Sequence, residues 1–416
     1  MRHAPFLVLL LVGAALRLVV ILAFRPGLMF LQDSYEYLLN AGHLEPALVR
    51  PVGYALFLRV LQPVGTLAVV TVLQHLFALA AAVVLYATMQ RLGVRRWVSA
   101  LATAPLLLDA YQIEIEQTVL AETLALALVV AGLALLLGTP KPGIVRLAAA
   151  GAVLAMAVLT RSAVLGLAVP LLALPVLQQL AGDFARRVIR RQPTAFARTV
   201  THDVVHYFQP GRTTGPLDYP IQFYGYGRAY SPAPTRRPAI RVRPDAPPGS
   251  IPYVGGRGPL TVAAYDPHLR PTTPSLSPSP AHFLANYQKI AYTPGPALAL
   301  CLLLVVVPLP GRLPAALKPL RTAALVLGAG GVGLLVLPAA TAVFDYRYLL
   351  SALPVLPVAG AAAAEICLQR LGDAARVRGG VGRRRTSQGP PSPAKPPVER
   401  RAPDQSAPVE AGHHDG

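Results

Sequence analysis

Windows of roughly 12 to 23 residues almost free of charge recur along this chain. They lie at Pro5–Phe24, Pro63–Leu85, Trp97–Leu108, Val119–Leu137, Leu147–Thr160, Ala163–Leu180, Pro294–Pro308, Thr322–Ala339 and Leu349–Ile366. The longer ones can cross a hydrocarbon core of roughly 30 Å. The pattern predicts an all-α, polytopic transmembrane helical bundle of about nine spans, some of them short. Arg2 and His3 before the first run resemble the start of a leader peptide. The length of that run and the spans after it favour a signal anchor instead.

Between the first two runs lies LQDSYEYLLNAGHLEPALVRPVGYALFLR, Leu31 to Arg59, which carries Asp33, Glu36, Glu45 and Arg50. Charges there belong at a membrane surface. On a helix Asp33, Glu36 and Tyr37 share one face, so two carboxylates can point at one spot. That fits an acid/base or cation site, and equally a solvated interfacial helix. A second acidic stretch, DAYQIEIEQTVLAET, brings Asp109, Glu114, Glu116 and Glu122 to the same side. The carboxylates together could hold a divalent cation or a catalytic group, or form a wetted loop edge. Glu122 is the sharper candidate, because it begins the next apolar run and sits partly desolvated at its mouth. Two arginines stand in apolar surroundings. Arg17 lies inside the first run and either snorkels or meets an anionic partner, and Arg161 between two runs suits a phosphate contact or an interfacial anchor.

Composition supports the membrane class, with 54% hydrophobic and 14% charged residues. The net charge of +19 does not indicate nucleic acid, because the basic residues are spread over loops and tail. They mark topology: Arg91, Arg95, Arg96, Lys141, Arg146, Arg312, Lys318 and Arg321 read as cytoplasmic, and the Asp33 and FDYRY (344–348) segments as external. The excess of arginine over lysine with abundant alanine and proline matches a GC-rich bacterial coding sequence, hence a bacterial plasma membrane. Cys301 and Cys367 lie in or beside apolar runs and define neither a disulfide framework nor a zinc site.

The chain therefore divides into an N-terminal transmembrane half (1–182), an amphipathic and aromatic interfacial segment (183–230), a proline-rich extended loop (231–293), C-terminal transmembrane helices (294–368) and a disordered, basic, cytoplasmic tail (369–416). Counting spans forward leaves Asp183 inside, whereas counting back from the tail leaves Tyr292 outside. The mismatch points to a crossing missing near Gln178–Asp183, or to one run that is not a span.

The order of signals resembles the polytopic, lipid-carrier-dependent glycosyltransferases of the GT-C superfamily, which include protein O-mannosyltransferases and aminoarabinose transferases. The matching elements are LQDSYEYL, RPVGYALFLRVL, LQHLFALAAAVVLYATMQRLGV, LLLDAYQIEIEQTVLAETL and FDYRYLLSALPVLP, covering about Leu7–Arg161 and Pro294–Ala364. The resemblance implies a polyprenyl-phosphate-linked sugar as donor and a lipid, glycan or protein hydroxyl as acceptor. It further implies Asp33 as catalytic acid or base with Glu36 as helper, Glu116 and Glu122 as the second acidic position, and Arg161, Arg347 and Arg50 around the carrier phosphate. The middle of the chain departs from that pattern, which keeps a shortened, inactive homologue open. Two further readings stand beside it: a transporter or flippase of lipid-linked sugars, which the lack of internal repeats disfavours, and an assembly protein whose basic tail binds acidic lipid headgroups.

Overall fold

The computed structural model describes residues 3–43, 50–64, 66–139, 142–168, 191–215, 218–219, 221–226, 275–307, 313–342 and 344–386. Met1–Leu368 forms one compact unit and Gln369–Gly416 a second. The suspected break at 178–183 and most of the proline-rich loop lie outside the described residues.

Within the described residues the apolar runs become helices; the run 163–180 is described only to residue 168. The first half contains α1 (Ala4–Ala23), α2 (Leu31–His43), α3 (Val52–Leu61), α4 (Leu67–Arg91), α5 (Arg96–Leu108), α6 (Ala110–Gln117), α7 (Glu122–Leu137), α8 (Ile144–Thr160) and a short α9 (Leu165–Ala168). Beyond it lie α10 (Pro193–His206), α11 (Pro278–Ile290), α12 (Gly295–Val306), α13 (Lys318–Thr341), α14 (Arg347–Ala352) and α15 (Leu356–Thr386). Starts follow local chemistry. Proline stands in the first turn of α1, α10, α11, α12 and α13, where its missing N–H has no intrahelical partner to lose. Pro193 accordingly opens α10. Strand is confined, among the described residues, to Phe24–Arg25 paired antiparallel with Ser275–Leu276 and a lone bridge from Leu28 to Thr118.

Among the described residues three helices are long and apolar enough to cross a membrane: Ala4–Ala23, Leu67–Arg91 and the Ala315–Thr341 segment that contains α13. The α11 and α12 pair, bent by 46°, makes a fourth if it counts as one span. The runs at Trp97–Leu108, Val119–Leu137 and Leu147–Thr160 give the shorter helices α5, α7 and α8, and α3 is a further short apolar helix. α15 continues to Thr386, beyond Gln369, where the sequence suggested a flexible tail. The helix formers Leu371, Ala374 and Ala375 follow without interruption, and the first proline comes only at Pro390.

The largest apolar core joins α1, α4, α5, α7, α13 and α15 through residues such as Phe6, Leu85, Leu107, Leu126, Leu327 and Ala362. A second gathers α2, α3 and α14 around Tyr37, Tyr54, Leu58 and Leu350. Phe6 stacks on Tyr86 at 4.0 Å, locking the start of α1 to α4. Large apolar side chains such as Leu11, Leu18, Val60, Leu101 and Leu303 remain on the outside, the distribution expected of helices facing lipid.

Candidate arginine and carboxylate site

Asp33 stands in the first turn of α2 and is buried. Its Oδ1 accepts a hydrogen bond from Arg50 Nη2 at 2.5 Å and its Oδ2 one from Arg347 Nη1 at 2.6 Å. Arg50 reaches it from the turn before α3 and also donates to Glu36 Oε2 at 2.8 Å, one helical turn along α2. The guanidinium of Arg50 lies 5.6 Å from the Tyr37 ring centre on that same helix face. The sequence reading therefore placed Asp33, Glu36 and Tyr37 together correctly, but as charges on a surface, whereas Asp33 is enclosed.

Arg347 opens α14 and connects the remaining members. Its Nε lies 3.0 Å from Asp345 Oδ2, its backbone N–H donates to Asp345 Oδ1 at 2.9 Å, and its Nη1 lies 3.6 Å from Glu122 Oε1. Its guanidinium rests over Phe30 and Tyr348, at 4.9 and 5.5 Å. Glu122, the first residue of α7, pairs with Arg161 at the end of α8, and Arg161 faces the Tyr348 ring at 5.4 Å. The close approach of α3 to α8 depends on Gly53, where a Cβ would stand 2.7 Å from the Leu159 carbonyl oxygen. Five chain segments thus converge, bringing together Asp33, Glu36, Arg50, Glu122, Arg161 and Arg347.

The site holds four carboxylates, Asp33, Glu36, Glu122 and Asp345, and three guanidiniums, Arg50, Arg161 and Arg347. An anion entering it must therefore displace carboxylates rather than meet free cations. Asp345 was absent from the sequence-based selection although it adjoins Arg347. Tyr224 donates its hydroxyl to Asp345 at 2.7 Å, and Tyr207 donates to the Asp345 carbonyl oxygen at 3.2 Å. Burial raises the Asp345 carboxyl above the ordinary carboxylate range, against the opposing pull of Arg347. Within this cluster the buried Nε of Arg161 has no hydrogen-bond partner among the described residues, and the Arg347 Nε has only its ion-pair contact with Asp345.

Glu116 does not join this site. It lies on α6, fully buried, in a fork with Arg17: Oε2 accepts from Nε and Oε1 from Nη2, each at 2.7 Å. Arg17 also donates to the carbonyl oxygens of Gly13, Leu107 and Leu106, all at 3.0 Å. Arg17 neither snorkels nor waits for a ligand. His75 Nδ1 lies 2.9 Å from Glu116 Oε2, and Gln112 Nε2 donates to Oε1 at 3.1 Å. Burial opposes ionisation of Glu116, yet Arg17 and His75 outweigh it and hold the carboxyl below its usual range. Glu114, two residues earlier on α6, has no such cationic partner among the described residues. Burial pushes it up to about 8 despite the Thr118 hydroxyl, and its Oε2 is unpartnered. Both glutamates were placed on an external loop by the sequence; they belong instead to a buried helix whose N-terminus Asp109 caps by accepting from the N–H groups of Tyr111 and Gln112.

Tyr54 of α3 is buried and donates to Gln74 Oε1 at 2.6 Å. Among the described residues no group of three or more His, Cys, Asp and Glu side chains gathers as a metal ligand set. The carboxylates of the Asp33 site face guanidinium groups, an arrangement that does not suit a divalent cation. Comparison of the chain with protein-family models, curated proteins and solved structures finds no match.

Proposed function

We propose that this chain is a multi-pass membrane glycosyltransferase of the GT-C type, moving a sugar from a polyprenyl-phosphate carrier to a lipid, glycan or protein hydroxyl. The observation that carries the reading is Asp33 held between Arg50 and Arg347, with Arg161 and Glu122 completing a buried cluster. Inverting sugar transfer from a phosphate needs a carboxylate for the acceptor proton and cations for the leaving phosphate. Both occur here side by side, on segments that the sequence signals independently singled out.

Both Asp33 oxygens are engaged by guanidinium donors, so an acceptor hydroxyl reaches this carboxylate only after one of them lets go. The carrier phosphate supplies the exchange. It takes Arg347 and Arg161, the latter with its Nε not yet hydrogen-bonded, and releases Asp33. The acceptor then gives its proton to Asp33 while its oxygen bonds to the anomeric carbon. The bond from that carbon to the phosphate oxygen breaks, and the electron pair departs on the phosphate. Glu36 keeps Arg50 in place through the exchange. In this reading the protein resides in a bacterial plasma membrane with the Asp33 site on the extracytoplasmic face and the basic C-terminal tail inside, the orientation favoured by the loop arginines.

The test is transfer of label from a radiolabelled polyprenyl-phosphate sugar pool in membrane vesicles. Wild type should move label off the carrier, and Asp33→Asn should lower that rate by at least about a hundredfold. Equal transfer by the variant, or none by a correctly inserted wild type, overturns the proposal.

A further inference from the structure

A groove of about 700 Å³ runs between α5, α12 and α15, away from the Asp33 cluster. Trp97, Leu101, Leu300, Cys301, Gly360 and Ala364 are among the residues lining it, and Trp97, Leu101 and Leu300 are also exposed on the outer surface. From Trp97 to Leu108 it follows α5 for about 16 Å at the α-helical rise, roughly half the thickness of a bilayer core. Its far end is closed by Asp109 and Thr293, whose polar groups satisfy each other: Thr293 N–H donates to Asp109 Oδ2 at 2.6 Å.

The Trp97 end is different. Arg95 and Arg96 stand at the N-terminus of α5, both exposed, immediately before Trp97. Arg95 is anchored there: its backbone N–H donates to Glu365 Oε2 at 3.0 Å and its Nε lies 3.3 Å from Glu365 Oε1. Glu365 directly follows Ala364, the last residue of α15 that lines the groove. The Arg95 side chain does not cap the N-terminus of α5, which opens at Arg96 next to the groove-lining Trp97. An apolar slot one leaflet deep thus opens beside a guanidinium pair and a positive helix end.

We propose that this groove is a binding site for an anionic phospholipid, one acyl chain lying along α5 and the headgroup phosphate meeting Arg95, Arg96 and the helix N-terminus. The site rests on membrane insertion of the chain and is independent of sugar transfer. Trp97 makes it measurable, being the only tryptophan in the sequence. The full chain is placed in nanodiscs containing low mole fractions of phospholipid brominated on the acyl chains, with either an anionic or a zwitterionic headgroup, and Trp97 quenching is recorded.

The anionic lipid should quench at a mole fraction at least about fivefold lower than the zwitterionic one, and Arg96→Gln should reduce that preference by about fivefold, the factor expected for one surface arginine. Ala364→Phe, which fills the mouth, should abolish preferential quenching while its melting temperature in detergent matches wild type. If that variant fails to fold, Arg96→Gln alone decides, since the residue is exposed. Equal quenching by both lipids in wild type, quenching by neither, or a preference unchanged in Arg96→Gln overturns the proposal.

Discussion

Arg17 and Arg347 are both buried and both paired with carboxylates, yet they are held differently. All five N–H groups of Arg17 are engaged, two by Glu116 and three by backbone carbonyl oxygens of α1 and α5. Gly13 makes this possible, since a Cβ there would stand 3.0 Å from the Leu107 carbonyl oxygen and 3.2 Å from Arg17 Nη1. Arg347 instead is shared among Asp33, Asp345 and Glu122 and rests on aromatic rings, and Arg161 pairs with Glu122 while its Nε has no hydrogen-bond partner among the described residues. A saturated guanidinium ties helices together and has nothing to offer a ligand. An incompletely bonded one, shared among several carboxylates, can exchange a partner. We read the Arg17–Glu116 pair as architecture and, under the proposed function, the Asp33–Arg347 cluster as the place of the chemistry.

The largest expected effect on stability comes from breaking the saturated pair. Glu116→Gln leaves the Arg17 charge buried without its counterion and should destabilise the protein by about 3–5 kcal/mol, read as a lower melting temperature in detergent. Arg17→Met combined with Glu116→Leu should recover much of that loss, because no lone charge remains. If Glu116→Gln melts like wild type, the architectural assignment is wrong.

Glu114 tests the same helix by pH. Its carboxyl is raised in the folded protein to about 8, above the value in an unfolded chain, so the folded state holds a proton that the unfolded state has released. The stability from this group is fully present below about pH 4.5 and falls as pH climbs through 8. Glu114→Gln should therefore flatten the pH dependence of melting and gain a few kcal/mol over wild type near pH 8.5. A pH profile identical to wild type contradicts this. The smallest effect belongs to the rim of the Asp33 site. Arg50 is partly exposed, and a cycle of Arg50→Gln with Glu36→Gln should give a coupling energy of about 1 kcal/mol or less, diminished further by salt. A coupling several times larger would mean that the rim is as rigid as the Arg17 pair.

Much of this contrast was legible in the chain. Apolar runs located α1, α4, α5, α7, α8, α12 and α13 to within a few residues, because charge-free windows of that length have one dominant solution. Helical spacing placed Asp33 beside Glu36 and Tyr37. Isolation in apolar surroundings marked Arg161 and Glu122, which the fold pairs. What sequence could not separate was Glu116 from Glu122, since both follow the same polar stretch and only the packing of α6 against α1 and α4 sends Glu116 to Arg17 and His75. Asp345 was missed for a similar reason: its neighbour Arg347 drew the attention, and the tyrosines that enclose it, Tyr224 and Tyr207, meet it only in three dimensions. Arg17 offered a clue that was read too narrowly, as a charge in a span needs a partner, and Gly13 one turn before it left room for two carbonyl bonds.

The division between architecture and chemistry is tested most directly by assaying Asp33→Asn and Glu116→Gln side by side for both melting temperature and sugar transfer. Asp33→Asn leaves Arg50 with Glu36 and Arg347 with Asp345 and Glu122, so it should melt close to wild type while transfer falls by at least about a hundredfold. Glu116→Gln should melt much lower, and the fraction that remains folded should transfer at the wild-type rate. An Asp33→Asn protein that keeps transfer, or a Glu116→Gln protein that keeps its stability and loses transfer, contradicts the account.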